Sequence, residues 1–185
     1  MSYRIHNVHQ RVLSTTPENL WATLTLLGTD NDPLYPPEWG WVRFPDGLHF
    51  SGRMVQHNGV SPITYRITEV EPPRRLWFGG IPGINGNHGY VLEPVDGGTR
   101  ISHVLSAEPS IIPYLLWTAA LHHSHDAISE RIFDNLEFLI TGAIADPHRP
   151  GSGARIMKRL LGNRSTKVAP PQRLHHVEPP TQPHA

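Results

Sequence analysis

The chain of 185 residues contains no cysteine. Disulfides, thiolate metal sites and cysteine nucleophiles are therefore excluded. Apolar residues are scarce for a globular chain, at 38%, whereas Gly (16) and Pro (19) are plentiful. That mixture describes one domain of ordinary composition diluted by loop-rich sequence, and the length suits one sizeable core rather than two. No apolar run is long enough to span a bilayer; the most apolar window, residues 111–121, is short and interrupted by Pro113. Residues 1–10 lack the apolar stretch of a secretory signal, which sets a cytoplasmic expectation. Overall charge is absent too, with 16 basic and 16 acidic residues, but the balance is uneven along the chain. From residue 142 onward, Arg149, Arg155, Lys158, Arg159, Arg164, Lys167 and Arg173 outnumber Asp146 and Glu178, leaving a tail of +5 and a body of −5. An acidic body excludes a nucleic-acid-binding domain, which needs clustered cations.

What is present reads as alternating elements. Residues 5–14 carry Val8, Gln10 and Val12 in alternation, a strand pattern. Thr16 is a good helix N-cap and Pro17 a good first residue, so a helix is expected through Leu20, Trp21, Leu24 and Leu27 to Gly28. A proline-rich loop, 30–40, precedes six strand-like runs at 41–44, 48–56, 63–70, 76–79, 88–95 and 99–107. Turn chemistry separates most of them, as at Pro45-Asp46-Gly47, His57-Asn58-Gly59 and Asp96-Gly97-Gly98, implying an antiparallel meander. Residues 113–140 read as one long amphipathic helix, with Leu121, Ile128, Ile132, Leu136 and Leu139 on its apolar stripe. Asp126, Glu130, Asp134 and Glu137 occupy its other face.

The expected organisation is a domain over residues 1–142 and a basic, mostly disordered tail over 143–185. Within the tail, residues 154–161 form a short amphipathic helix pattern from Ile156, Met157, Leu160 and Leu161. With its flanking cations, the stretch 154–167 can make weak contact with an anionic membrane surface or a protein partner.

Strand, helix, loop, six-strand meander and long helix form the order of a helix-grip domain. Four segments resemble the START-like, or SRPBCC, superfamily, which includes polyketide cyclases and lipid-transport-like proteins. They are VLSTTPENLW (12–21), LYPPEW (34–39), YRITEVEPPRRLWF (65–78) and HGYVLEPVDGGTRISH (88–103). The resemblance implies an α+β helix-grip fold: a curved antiparallel sheet wrapped around a long C-terminal helix, with a ligand cavity between them. It also implies that Trp39, in the Tyr-Pro-x-Trp-like loop, lies over the cavity mouth, and Trp41 is grouped with it.

The residues offer their own candidates for that cavity. Thirteen histidines are present, and His122 and His125 lie three apart on one helical face beside Leu121. Such a pair can bind a metal, move a proton or pack; with no third ligand in the pattern, no metal or other cofactor is expected. His123 points away toward solvent. If Val95 pairs with Gly98 across the Asp96-Gly97 turn, Tyr90 faces His103, with His88 two residues along on the same face. Arg53 and Arg66 lie mid-strand, and surface placement is expected for both. The reading that leads is non-catalytic binding of a hydrophobic small molecule, aromatic ones included, by a carrier, sensor or sequestering protein. The alternative is a polyketide cyclase or aromatase using His125, His103 and Tyr90 as acid–base groups. A third reading is a docking module that works through the tail.

Overall fold

In the computed structural model of the chain, residues 3–58, 61–80 and 84–162 are described. The elements run β1 (Ile5–Leu13), α1 (Pro17–Leu24), a 3-10 turn (Pro37–Trp39), β2 (Trp41–Arg43), β3 (Arg53–His57) and β4 (Ile63–Glu71). They continue with β5 (Arg75–Gly79), β6 (Asn85–Val95), β7 (Gly98–Glu108), α2 (Ile111–Leu116), α3 (His122–Thr141) and α4 (Ser152–Met157). Thr16 does cap α1, its side chain accepting the Asn19 N–H at 3.3 Å. The strands form one antiparallel sheet in the order β1-β7-β6-β5-β4-β3-β2, so the meander is consecutive and β1 closes onto the last strand. The Asp96-Gly97 turn sets the register as the sequence indicates: Val95 pairs with Gly98, Leu92 with Ile101 and Tyr90 with His103. Gly97 takes φ +85°, the left-handed conformation such a turn requires.

The core lies between the concave side of the sheet and α3, around Phe78, Ile67, Leu76, Ile101, Phe133 and Leu136. Three expectations need correction. The run 48–56 is a strand only from Arg53, because Asp46 accepts both the Arg53 backbone N–H and its guanidinium, folding residues 46–52 into turns. The apolar alternation of β1 is the outward one: Val8 and Val12 are exposed, and Asn7, His9 and Arg11 face the helix. They meet the acidic stripe of α3, so Asp126, Glu130, Asp134 and Glu137 are not simply solvated. Arg11 donates to Asp134 at 2.7 Å and to Glu137 at 2.9 Å, and Asp134 is completely buried.

The third correction concerns the boundary at residue 142. Gly142 does end α3, with φ +78°, but the packed body continues past it. The His148 N–H donates to Asp134 and the Ala145 N–H to Glu137. Helix α4 follows, extended by a π-helical turn (Lys158–Gly162). Ala154 is buried in the core, Met157 packs beside it, and Lys158 lies 3.8 Å from Glu38. Gly153 sits against the His123 ring, where a Cβ would come within 2.5 Å of it, so His123 is partly covered rather than fully solvated. A helix thus stands where the apolar pattern placed one, but Ile156 and Leu160 remain exposed while Ala154 and Met157 make the contact. The disorder expected for the rest of the tail concerns residues 163–185, outside the described residues. No helix among the described residues is long and apolar enough to cross a membrane.

Candidate functional site

Between the sheet and the long helical arm is a cavity of about 340 Å³. Its wall is mostly apolar, with Met54, Phe78, Leu105, Ile128 and Ile132 among its residues. Among the described residues no charged side chain lines it. Arg53 pairs with Asp46 on the surface and Arg66 is exposed, so neither strand arginine reaches it.

Histidines form one wall, brought together from three elements. His88 and His103 stand on the concave faces of β6 and β7, with ring centroids 5.7 Å apart and edge-to-face. His125 comes down from α3 to 5.1 Å from His103. Tyr90 packs on His103 at 4.9 Å, Tyr65 on His88 at 4.7 Å, and Trp117 edge-on to His125 at 5.2 Å. Ser129 Oγ lies 3.3 Å from His103 Nδ1. Among the described residues, no hydrogen-bond partner meets His88 Nε2 or either ring nitrogen of His125, although all three atoms are shielded from solvent. His125 Nδ1 is 3.6 Å from Asp126 Oδ1, too long for a hydrogen bond.

Burial makes these rings neutral. It lowers the pKa of His88 to about 3, assisted by repulsion from His125. The same causes hold His103 well below the ordinary histidine value. Burial also lowers His125, against a partly compensating pull from Asp126. Tyr65 is pushed up to about 12 by burial, and burial raises Tyr90 as well, so both phenols stay protonated. The wall therefore offers neutral donors and acceptors and no fixed charge.

Of the residues named from sequence, Tyr90, His88, His103, Leu121 and His125 line the cavity. Trp39, Trp41 and His122 do not. Trp39 is buried in the main core, where the Pro37–Trp39 turn points it inward, and Trp41 stacks on His57 at 5.6 Å. It is Tyr35 of the same loop that reaches the cavity, with Gln56 donating to its hydroxyl at 3.2 Å. His122 is occupied by the backbone: its Nδ1 lies 2.9 Å from the Trp117 carbonyl oxygen. That contact belongs to a break in the helix. Between α2 and α3 the chain makes a π-helical turn (Trp117–Leu121), so the expected single helix is two α segments joined out of phase. The extra residue in the turn alters the facing of the segment before it, and Trp117 comes to the cavity wall. Pro113 and the apolar run around it were the available signal; periodicity alone reads straight through.

This is a helix-grip fold, a seven-stranded curled antiparallel sheet gripping a long C-terminal helix. Within that class, a structural-genomics protein from Rhodobacter sphaeroides is 22% identical, with a TM-score of 0.54 over 74% of this chain and 92% of that one. Ara h 8.0201 is 14% identical, with a TM-score of 0.54 over 76% and 99% of the two chains. The KanY protein is 10% identical, with a TM-score of 0.56 over 75% and 98%. No protein-family model and no curated protein matches the sequence. These likenesses establish the fold; function has to be argued from the site.

Proposed function

We propose that the protein binds a compact, uncharged, aromatic small molecule bearing a hydroxyl or carbonyl group, and holds it in the cavity without transforming it. The observation that carries this reading is the set of unpaired imidazole nitrogens in an otherwise apolar wall. A buried polar atom without a partner costs about 1–3 kcal/mol, and a ligand hydroxyl that pairs with it removes that cost. Neutral imidazole offers one N–H and one acceptor nitrogen, which suits a hydroxyl acting both ways. A volume near 340 Å³ lies at the lower end of small-molecule sites, which favours a fused-ring compound over a two-chain lipid. The absence of a charged side chain among the described lining residues leaves nothing to compensate a ligand charge, which favours a neutral one.

The cyclase reading is the weaker of the two. A general base works best with a pKa near the ambient pH, and burial holds His103 well below the ordinary histidine value. The test is displacement of an apolar fluorescent dye by 2-naphthol and by naphthalene. The naphthol is expected to bind about tenfold more tightly, and His88→Leu or His125→Leu is expected to abolish the difference. Equal affinities for the two compounds, or no saturable dye binding by folded protein, would overturn the reading. Turnover of a polyketide-like substrate that is lost in His125→Leu would replace it with the enzyme.

A further inference from the structure

His125 belongs to a second group of side chains on the side of the wall nearest β1. His9 Nε2 lies 3.1 Å from Asp126 Oδ1, and His125 Nδ1 is 3.6 Å from the same oxygen. Two ring nitrogens from different elements thus converge on one carboxylate. The other nitrogen of His9, Nδ1, is 2.7 Å from Glu130 Oε1 and donates its hydrogen there. In neutral His9 this fixes Nε2 as a bare lone pair facing a carboxylate oxygen, which is also a lone pair. Two acceptors at that distance need a cation between them. A proton supplies it in one state; a metal ion fits the same place.

The geometry points to a transition-metal site in which His9 Nε2, His125 Nδ1 and Asp126 bind a divalent ion of the zinc class at the edge of the cavity. One ligand atom from each residue lies within 4.8 Å of the others. In a tetrahedral site with bonds of about 2.0–2.1 Å, ligand atoms stand roughly 3.3 Å apart, so small adjustments suffice. Imidazole ligands select zinc-like ions over magnesium or calcium. The surroundings are those of a supported site. Glu130 receives the far nitrogen of His9, the carboxylate–histidine arrangement that orients metal-bound imidazoles, and Asn7 Nδ2 donates to Asp126 Oδ1 at 3.0 Å. Local charge also suits a dication: four carboxylates, Asp126, Glu130, Asp134 and Glu137, gather around Arg11 and His9, with His125 3.6 Å from Asp126, His148 near Glu130 and Arg131 reaching Asp134 from the surface. Asp126 is about one-third exposed, so an ion can enter from solvent, whereas His125 also lines the cavity. Three protein ligands leave a fourth position for water or for an oxygen of a bound molecule. The inference holds whatever the cavity carries.

Chelator-treated full-length protein should be titrated with zinc by calorimetry and with cobalt(II) by visible absorption. One ion per chain is expected, with the intense cobalt bands of a low-coordinate site. His9→Ala, His125→Gln and Asp126→Asn should each weaken binding about a hundredfold, and Glu130→Gln by about tenfold or more. Replacing His175, His176 and His184 of the tail with Ala should change nothing. X-ray absorption of the zinc-loaded native chain should count two imidazoles, an answer that holds even if a variant misfolds. Binding absent at micromolar zinc, or a cobalt signal that survives the three ligand variants and vanishes with the tail histidines, would overturn the site.

Discussion

The long helix carries histidine chemistry on two sides, and the sides behave oppositely. Toward the cavity, His88, His103 and His125 have no counter-charge on the cavity side, and burial keeps them neutral. Toward β1, burial also opposes charge on His9, but the hydrogen bonds it donates to Asp126 and Glu130 outweigh it and raise the pKa to about 9. The imidazoles of His9 and His125 are only 6.0 Å apart. His9 has two carboxylates within hydrogen-bond distance, at 2.7 and 3.1 Å, whereas the one beside His125 stands off at 3.6 Å. A cavity of neutral rings can hold an uncharged ligand, while the ionic face fastens β1 to α3.

The ionic face should be the more costly to break. Arg11→Met leaves the completely buried Asp134 without its closest partner, and losing one member of a buried pair costs about 3–5 kcal/mol. With a couple of degrees or more per kcal/mol in a chain of this size, the midpoint of thermal unfolding should fall by roughly 6–12 °C. His103→Phe, which removes a ring already neutral, should change it by less than about 1 kcal/mol. Equal losses from the two would mean that the cavity histidines are structural keystones, contrary to the difference drawn here.

Acidity should sharpen the same contrast, measured with a chelator present. A raised folded pKa stabilises below the unfolded value, so His9 contributes fully below about 6.5 and loses its contribution as pH rises through about 9. The cavity histidines have depressed values, so their contribution is full above about 6.5 and is lost as pH falls toward about 3. Asp126, lowered against burial by His125 and His9, and Glu130, lowered by His9 and Arg11 against burial, add a further loss below the ordinary carboxylate range. Stability should therefore peak between about pH 6 and 7. His9→Gln should flatten the alkaline arm, and His88→Phe the arm between about pH 6.5 and 4.5. An alkaline arm unchanged in His9→Gln would remove the charged imidazole from the account.

Much of this was legible in the chain. The turns give the strand order, and the Asp96-Gly97 hairpin alone places Tyr90 against His103 with His88 alongside. Helical phase puts His125 in line with Ile128 and Ile132, and all three line the cavity. The misses share a cause. Hydrophobic periodicity cannot tell a polar face turned to water from one turned to an opposite charge, so the acidic stripe of α3 and the inner face of β1 were each read apart from the other. Nor does it register a π-helical turn, so it groups His122 with the cavity face and gives no reason to bring Trp117 there. Loop residues have no periodicity at all; LYPPEW presents both Tyr35 and Trp39, and only the backbone path decides which one reaches the cavity.

The smallest expected effect tests whether the two sides are separable. Residues 145–157 cover the ionic side: Ala145 and His148 donate to Glu137 and Asp134, and α4 seats Ala154 and Met157. None of these residues lines the cavity. A chain ending at residue 144 should lose about 1–2 kcal/mol, a few degrees in midpoint, since one small side chain, one half-buried methionine and two charge-assisted hydrogen bonds disappear. A chain ending at 162 should melt as the full chain does, because the composition of residues 163–185 supplies little to bury. Dye affinity should be the same in all three chains. Should the shorter chain lose dye binding along with its few degrees, the covering segment reaches the cavity through His123 and α3, and the two sides of the helix would be one cooperative site instead of neighbours.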